Sequence, residues 1–169
     1  MEFQLKTIGV LLTVLALIHI IFPKYFNWKS ELKSLSLVNR QMMQIHTFFI
    51  ALIVLLMGLL CITTSTELLD TNLGKRISLG LGIFWGFRLF IQFFGYSSEL
   101  WKGKKLETTI HILFSLLWSY LTFTFFKIYL SWQAKLRILK QIIRFRLNWR
   151  VIKKNVQKNK NWQTYQIIR

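Results

Sequence analysis

Long apolar runs alternate with short polar connectors along this chain. Four runs, at residues 3–22, 45–64, 77–96 and 108–128, each hold about the 20 mostly apolar residues that a helix needs to cross a hydrocarbon core. Lys6 and Lys127 lie near the ends of their runs, where the alkyl stem stays among apolar groups while the ammonium reaches water. A helix on the surface of a soluble bundle would carry a polar face, and the stretch from Phe48 to Leu60 has none. The pattern predicts an all-α integral membrane protein, an up-down bundle of four transmembrane helices over residues 1–130. A basic C-terminal tail follows at 131–169.

Connectors at 23–44, 65–76 and 97–107 are short enough to make sequence neighbours antiparallel. The first run is expected to remain as an anchor rather than be cleaved, because His19, Ile20, Ile21 and Phe22 are large where a signal peptidase needs small side chains. Pro23 stops it, since its ring blocks helix continuation and restricts the residue before it. On the third run Ser78, Gly82 and Gly86 recur every four residues, a strip that reads as a packing seam for a neighbouring backbone.

Composition strengthens this picture. The chain is 53% hydrophobic and 16% aromatic, with a single Pro and 8 Gly, so long helices are favoured over turn-rich β architecture. Cys61 stands alone, which excludes an internal disulfide and any multi-cysteine metal site.

The formal charge of +17 sits mostly in the tail, where residues 131–169 hold eleven Lys or Arg and no acid. Within residues 133–153, Ile138, Ile142, Phe145, Trp149 and Ile152 recur at spacings of four and three. Arg137, Lys140, Arg144, Arg146 and Arg150 are interspersed with them. This predicts a basic amphipathic helix on a membrane surface, attracted to anionic lipid headgroups. Nucleic acid is the less favoured partner, because a tail tethered beside a bilayer meets lipid phosphates first.

Charge also bears on orientation. Counting connectors and the tail near its span, one side carries Lys6, Lys75, Arg76, Lys127, Lys135, Arg137, Lys140, Arg144, Arg146 and Arg150. The other carries Lys24, Lys29, Lys33, Arg40, Lys102, Lys104 and Lys105. Ten against seven predicts cytoplasmic termini, in a plasma or inner membrane.

Polar residues placed by depth give the candidate chemistry. His19, His46 and His111 all fall near the membrane face opposite the termini, where Arg88 and Gln92 also lie near the end of the third helix. An Arg inside a span costs about 2.5 to 3.5 kcal/mol at the bilayer centre, so Arg88 is expected to face the interior of the bundle or a polar cavity. Its expected partner is a carboxylate, a phosphate, a haem propionate or Glu107. Three imidazoles suit a Zn or Cu site, with Met42 and Met43 inclining the choice toward copper. Two facing histidines suit haem, and a quinone or lipid is a further expectation. Interfacial histidines that only form structural hydrogen bonds are the plainer alternative.

The sequence offers no nucleophile triad, phosphate-cradling glycine loop or paired carboxylates, and none of its six acids lies deep in a span. Enzymatic function is therefore not favoured. The expected role is a structural, assembly or accessory subunit working with other membrane subunits. The alternative is a membrane redox or ligand-binding protein that uses the histidine layer with haem, a metal or a quinone.

Overall fold

The computed structural model describes residues 1–167, with side-chain surroundings described for all of these but Ser98, Val151, Ile152 and residues 155–167. It is helical, with no strand among the described residues. In order come α1 (Glu2–Ile18), α2 (Phe22–Tyr25), α3 (Trp28–Glu31), a 3-10 turn at Leu32–Ser34, α4 (Leu37–Thr63), α5 (Ser65–Asp70) and α6 (Asn72–Phe94). A 3-10 turn at Ser98–Leu100 and α7 (Lys105–Ile167) complete the chain. Two compact units divide it, Met1–Ile128 and Tyr129–Arg169.

Capping explains most differences from the expected boundaries. The Ser36 hydroxyl accepts from the Asn39 amide, so α4 starts eight residues earlier than position 45. Thr71 caps α6 in the same way, accepting from the Gly74 amide at 2.9 Å, which moves its start ahead of position 77 and turns much of the 65–76 connector helical.

The first expected span is the one that comes up short. After Ile18 the amides of His19, Ile20 and Ile21 bond to carbonyls three residues back, a tightening that ends α1 before Pro23. Its 17 residues reach about 26 Å at 1.5 Å per residue. Three helices are long and apolar enough to cross a membrane: Leu37–Thr63, Asn72–Phe94 and the Lys105–Arg150 part of α7.

The core follows helical periodicity. Leu5, Ile8, Leu12 and Leu15 form the buried stripe of α1 and lie in one cluster with Val54 and Cys61 of α4 and Leu68 of α5. At the crossing of α1 and α4 the backbones touch through two glycines. A Cβ on Gly9 would lie 2.7 Å from the Gly58 carbonyl oxygen, and one on Gly58 would lie 2.9 Å from the Gly9 carbonyl oxygen. The helices can approach this closely only because neither position has a side chain.

Against α6, the strip of small residues meets α7. Ser78 is fully buried and donates to the Gly74 carbonyl. Gly82 faces Phe125 and Phe126, and Gly86 faces Thr122. Outward faces remain apolar throughout, with Phe3, Phe48, Phe87, Phe94, Leu113, Leu116 and Phe123 all exposed.

Residues 133–153, expected as an amphipathic helix, are helical as part of α7, which runs through this stretch without a break. Ile138, Ile142, Phe145 and Trp149 are exposed there, as are Arg137, Lys140, Arg144, Arg146 and Arg150. The Ile152 side chain lies outside the described surroundings.

Candidate functional site

The antiparallel pairing of α6 with α7 brings three of the five expected ligand-site residues together. Arg88, Gln92 and His111 line one cleft of about 340 Å³, along with Glu107, Tyr25, Tyr96 and Trp101. Positions 88 and 92 lie four apart on α6, with Tyr96 just past its end, and 107, 111 and 115 follow at intervals of four on α7, so the polar residues of each helix share one face.

Local structure explains how each group is held. Because α6 ends at Phe94, the carbonyl of Gln92 lacks a continuing helical turn to donate to it. His111 Nε2 approaches that carbonyl at 3.3 Å, and since a carbonyl only accepts, Nε2 carries the proton. On its other side the imidazole is covered by Trp101, stacked at 4.0 Å between centroids.

Trp101 is placed by the turn before α7. Gly103, at φ +81°, reverses the chain, Lys104 N donates to the Trp101 carbonyl, and the Thr108 hydroxyl lies 2.8 Å from that same oxygen.

Arg88 is held without a carboxylate. Its Nη1 donates to Gln92 Oε1 at 3.2 Å, and its guanidinium lies 5.0 Å from the centroid of the Trp118 ring and 5.7 Å from that of Tyr96. Trp118 in turn stacks on Trp85, 5.0 Å away at an interplanar angle of 11°, and on Phe114. The guanidinium thus rests on an aromatic column that satisfies it through π-electron density rather than an anion. Among the described residues no ion pair forms at Arg88 or at Glu107, although both line the same cleft. Beneath this layer Trp85 Nε1, Trp118 Nε1 and Thr122 Oγ1 are buried with no hydrogen-bond partner among the described residues.

His19 and His46 belong elsewhere. His19 Nδ1 lies 2.8 Å from the Leu15 carbonyl, and its ring lines a separate cleft of about 330 Å³ with Gln44, Thr47, Phe48 and Ala51 of α4. Those α4 positions form one stripe, and His46 falls off it, with Nδ1 against the Met42 carbonyl. Met42 and Met43 are exposed.

The expected three-histidine metal site therefore does not form. No group of three or more His, Cys, Asp or Glu that could hold a metal ion exists among the described residues. Helical phase is the reason: residues at similar heights on neighbouring helices come together only when their helical faces also meet. Nor do two histidines line either cleft, as a bis-histidine haem would need.

Sequence reasoning named Glu107 and Gln92 alongside Arg88 and His111, but it passed over Trp101, Tyr25 and Phe26. The signal for Trp101 was present in the brevity of the 97–107 connector, which keeps any aromatic residue within reach of the first turn of α7. Tyr25 and Phe26 come from the short helical segment after Pro23 and carried no comparable signal.

No protein-family model matches the chain, and no curated protein or solved structure matches it either.

Proposed function

We propose that this protein is a small multi-pass membrane protein, with four crossings and cytoplasmic termini, that acts as an accessory component and binds an anionic amphiphile at Arg88. The observation that carries the reading is the state of that guanidinium. It sits in an open cleft, is oriented by Gln92 and two aromatic rings, and has no carboxylate partner among the described residues. A cation held in a partly apolar setting without a counter-charge is poised for an anion from outside the chain, because guanidinium presents paired donors to carboxylate or phosphate. The cleft volume is at the small end of ligand sites and suits a headgroup rather than a whole lipid.

Membrane residence rests on the three long apolar helices and the exposed aromatic and aliphatic flanks. The short α1 counts as the fourth crossing because it packs along α4, backbone to backbone at Gly9 and Gly58. Local thinning of the bilayer accommodates its length at small cost. The basic part of α7 docks on anionic headgroups in this reading.

A purely structural role draws on a different observation. Gly80 has open space around it and is flanked by exposed Ile83, Phe84 and Phe87, which leaves room for the backbone of a partner helix.

Titrating the purified protein in neutral micelles with dodecyl phosphate and with dodecanol separates the two. Trp fluorescence should report saturable binding of the phosphate only. Arg88→Ala should weaken it about tenfold or more, a loss of about 1.4 kcal/mol or more, and Arg88→Lys should restore part of it. Equal binding of the two amphiphiles, or indifference to Arg88→Ala, would leave the structural role alone.

A further inference from the structure

Arg88 is one of two unneutralised charges in its cleft, and the second has the opposite sign. Glu107 lines the same cavity, and among the described residues it pairs neither with Arg88 nor with the neighbouring lysines Lys104 and Lys105. The His111–Gln92 bond fixes the geometry between them. Arg88 lies one turn from Gln92 along α6, and Glu107 lies one turn from His111 along the antiparallel α7, in the opposite sense from the bond. Their backbones are therefore about two turns apart, roughly 11 Å along the helices. Two long side chains reaching toward one cavity from that separation leave a gap between their charged ends.

The rings around the gap are not equivalent. On the Arg88 side, Tyr96 and Trp118 are already engaged by the guanidinium. Toward Glu107 stands Trp101, which stacks on His111 one turn from Glu107 along α7, and no cation lies over its ring among the described residues. A carboxylate beside aromatic faces is a setting that favours an ammonium ion, including a substituted one. One end of the cleft thus offers a fork of donors for an anion and the other a carboxylate with π faces for a cation.

We propose that the cleft recognises a zwitterionic phosphate–ammonium headgroup, with the phosphate on Arg88 and the ammonium between Glu107 and Trp101. This rests on the anion-binding reading of Arg88 given above and adds the second charge. The source is a diacyl phospholipid. Phe26, Leu100 and Ile110 line the same cleft and are exposed, so the acyl end of a bound molecule continues onto apolar surface outside it. Glu107 also supplies discrimination, since a headgroup that carries only negative charge places its outer part against a carboxylate.

The test uses the full-length protein in neutral micelles, with competition against dodecyl phosphate read by Trp fluorescence. Phosphatidylethanolamine should displace the probe at about one-tenth the concentration needed for phosphatidylglycerol of the same acyl chains. Glu107→Gln, at an exposed position, should abolish that preference, and dodecyl phosphate should bind it at least as tightly as the parent because a negative charge has left the cleft. Trp101→Leu should weaken the ethanolamine lipid selectively. Soluble glycerophosphoethanolamine carries the same charges without chains; displacement as strong as the diacyl lipid's would support the headgroup assignment with a water-borne source, and weak displacement supports the lipid source. Phosphatidylglycerol binding as well as the zwitterion, or a preference that survives Glu107→Gln, would overturn the proposal while leaving the anion site intact. Loss of the Arg88 dependence of dodecyl phosphate itself would remove the reading beneath it.

Discussion

Gln92 accepts a hydrogen bond from Arg88 through its side chain while its backbone carbonyl receives one from His111, so one residue couples the embedded cation to the neighbouring helix. The side chain is 5% exposed, which makes its substitution informative. Gln92→Leu removes the acceptor from a charged donor and should lower stability by about 1.5 to 3 kcal/mol in a thermal or denaturant titration. Gln92→Glu should instead neutralise the guanidinium within the protein, preserving the fold while abolishing dodecyl phosphate binding. Undiminished binding in Gln92→Glu would mean that the anion site lies elsewhere.

The glycines give a contrast within one fold. At Gly58 a methyl group would meet the Gly9 carbonyl at 2.9 Å, and backbone offers little room to retreat, so Gly58→Ala should destabilise by about 1 to 3 kcal/mol. Gly80 has nothing within 4 Å, and Gly80→Ala should stabilise by up to about 1 kcal/mol through helix propensity alone. Circular dichroism melts in micelles would measure both, and equal effects of the two changes would contradict the α1–α4 packing.

At the start of α1 the Lys6 ammonium lies 2.8 Å from the Glu2 carboxylate. By hydrogen bond first and charge second, it holds that carboxyl below its usual 4.5. A carboxyl lowered on folding contributes stability above its unfolded value and loses it as pH falls through the folded one. The pair is solvent-accessible at the end of α1, so the effect should be small. Glu2→Gln should differ from the parent by the same small margin at all pH above about 5, with the difference shrinking as pH falls below that. A margin that grows on acidification would mean the sign is wrong.

Topology is open to direct labelling in a Cys61→Ser background. With four crossings and cytoplasmic termini, cysteines at Ser34 and Lys102 should react with an impermeant thiol reagent on intact cells, whereas those at Glu2, Thr71 and Lys158 should not. Lys102 is preferred to Gly103, whose φ of +81° disfavours a side chain. Matching reactivity at positions 2 and 34 would show that α1 does not cross.

For the basic region, a peptide of residues 133–153 should gain helicity on vesicles containing anionic lipid and much less on neutral ones. Replacing Arg144, Arg146 and Arg150 with Gln should weaken binding by roughly 1 kcal/mol per residue. Equal binding to both vesicle types would remove the electrostatic argument.

Apolar run length located the helices well, because α4, α6 and the first part of α7 overlap runs that carry no polar face. Their ends shifted where a single hydroxyl decided them, at Ser36 and Thr71, and α1 shortened where Pro23 acted several residues ahead of its own position. Height along the helices was legible for His19 and His46, since His19 lines a cleft with the α4 residues that flank position 46. Azimuth was not: His46 shares a level with His19 but is out of phase with the α4 stripe that lines its cleft. Arg88, Gln92 and His111 met because α6 and α7 are joined by a tight connector, a constraint that sequence does express. The contribution of Tyr25 depended on how a segment with a left-handed residue at Asn27 folds, and no periodic signal encodes that.

The stacked indoles of Trp85 and Trp118 have a consequence in isotope exchange. Exchange of an indole proton requires water to reach it, and these two are buried without a hydrogen bond among the described residues. Their protection therefore comes from occlusion between α6 and α7. In deuterated solvent the two Nε1 protons should persist until those helices separate, while Trp149, exposed on α7, exchanges at once. The protein thus contains a clock for the opening of one helix pair, readable without any added probe.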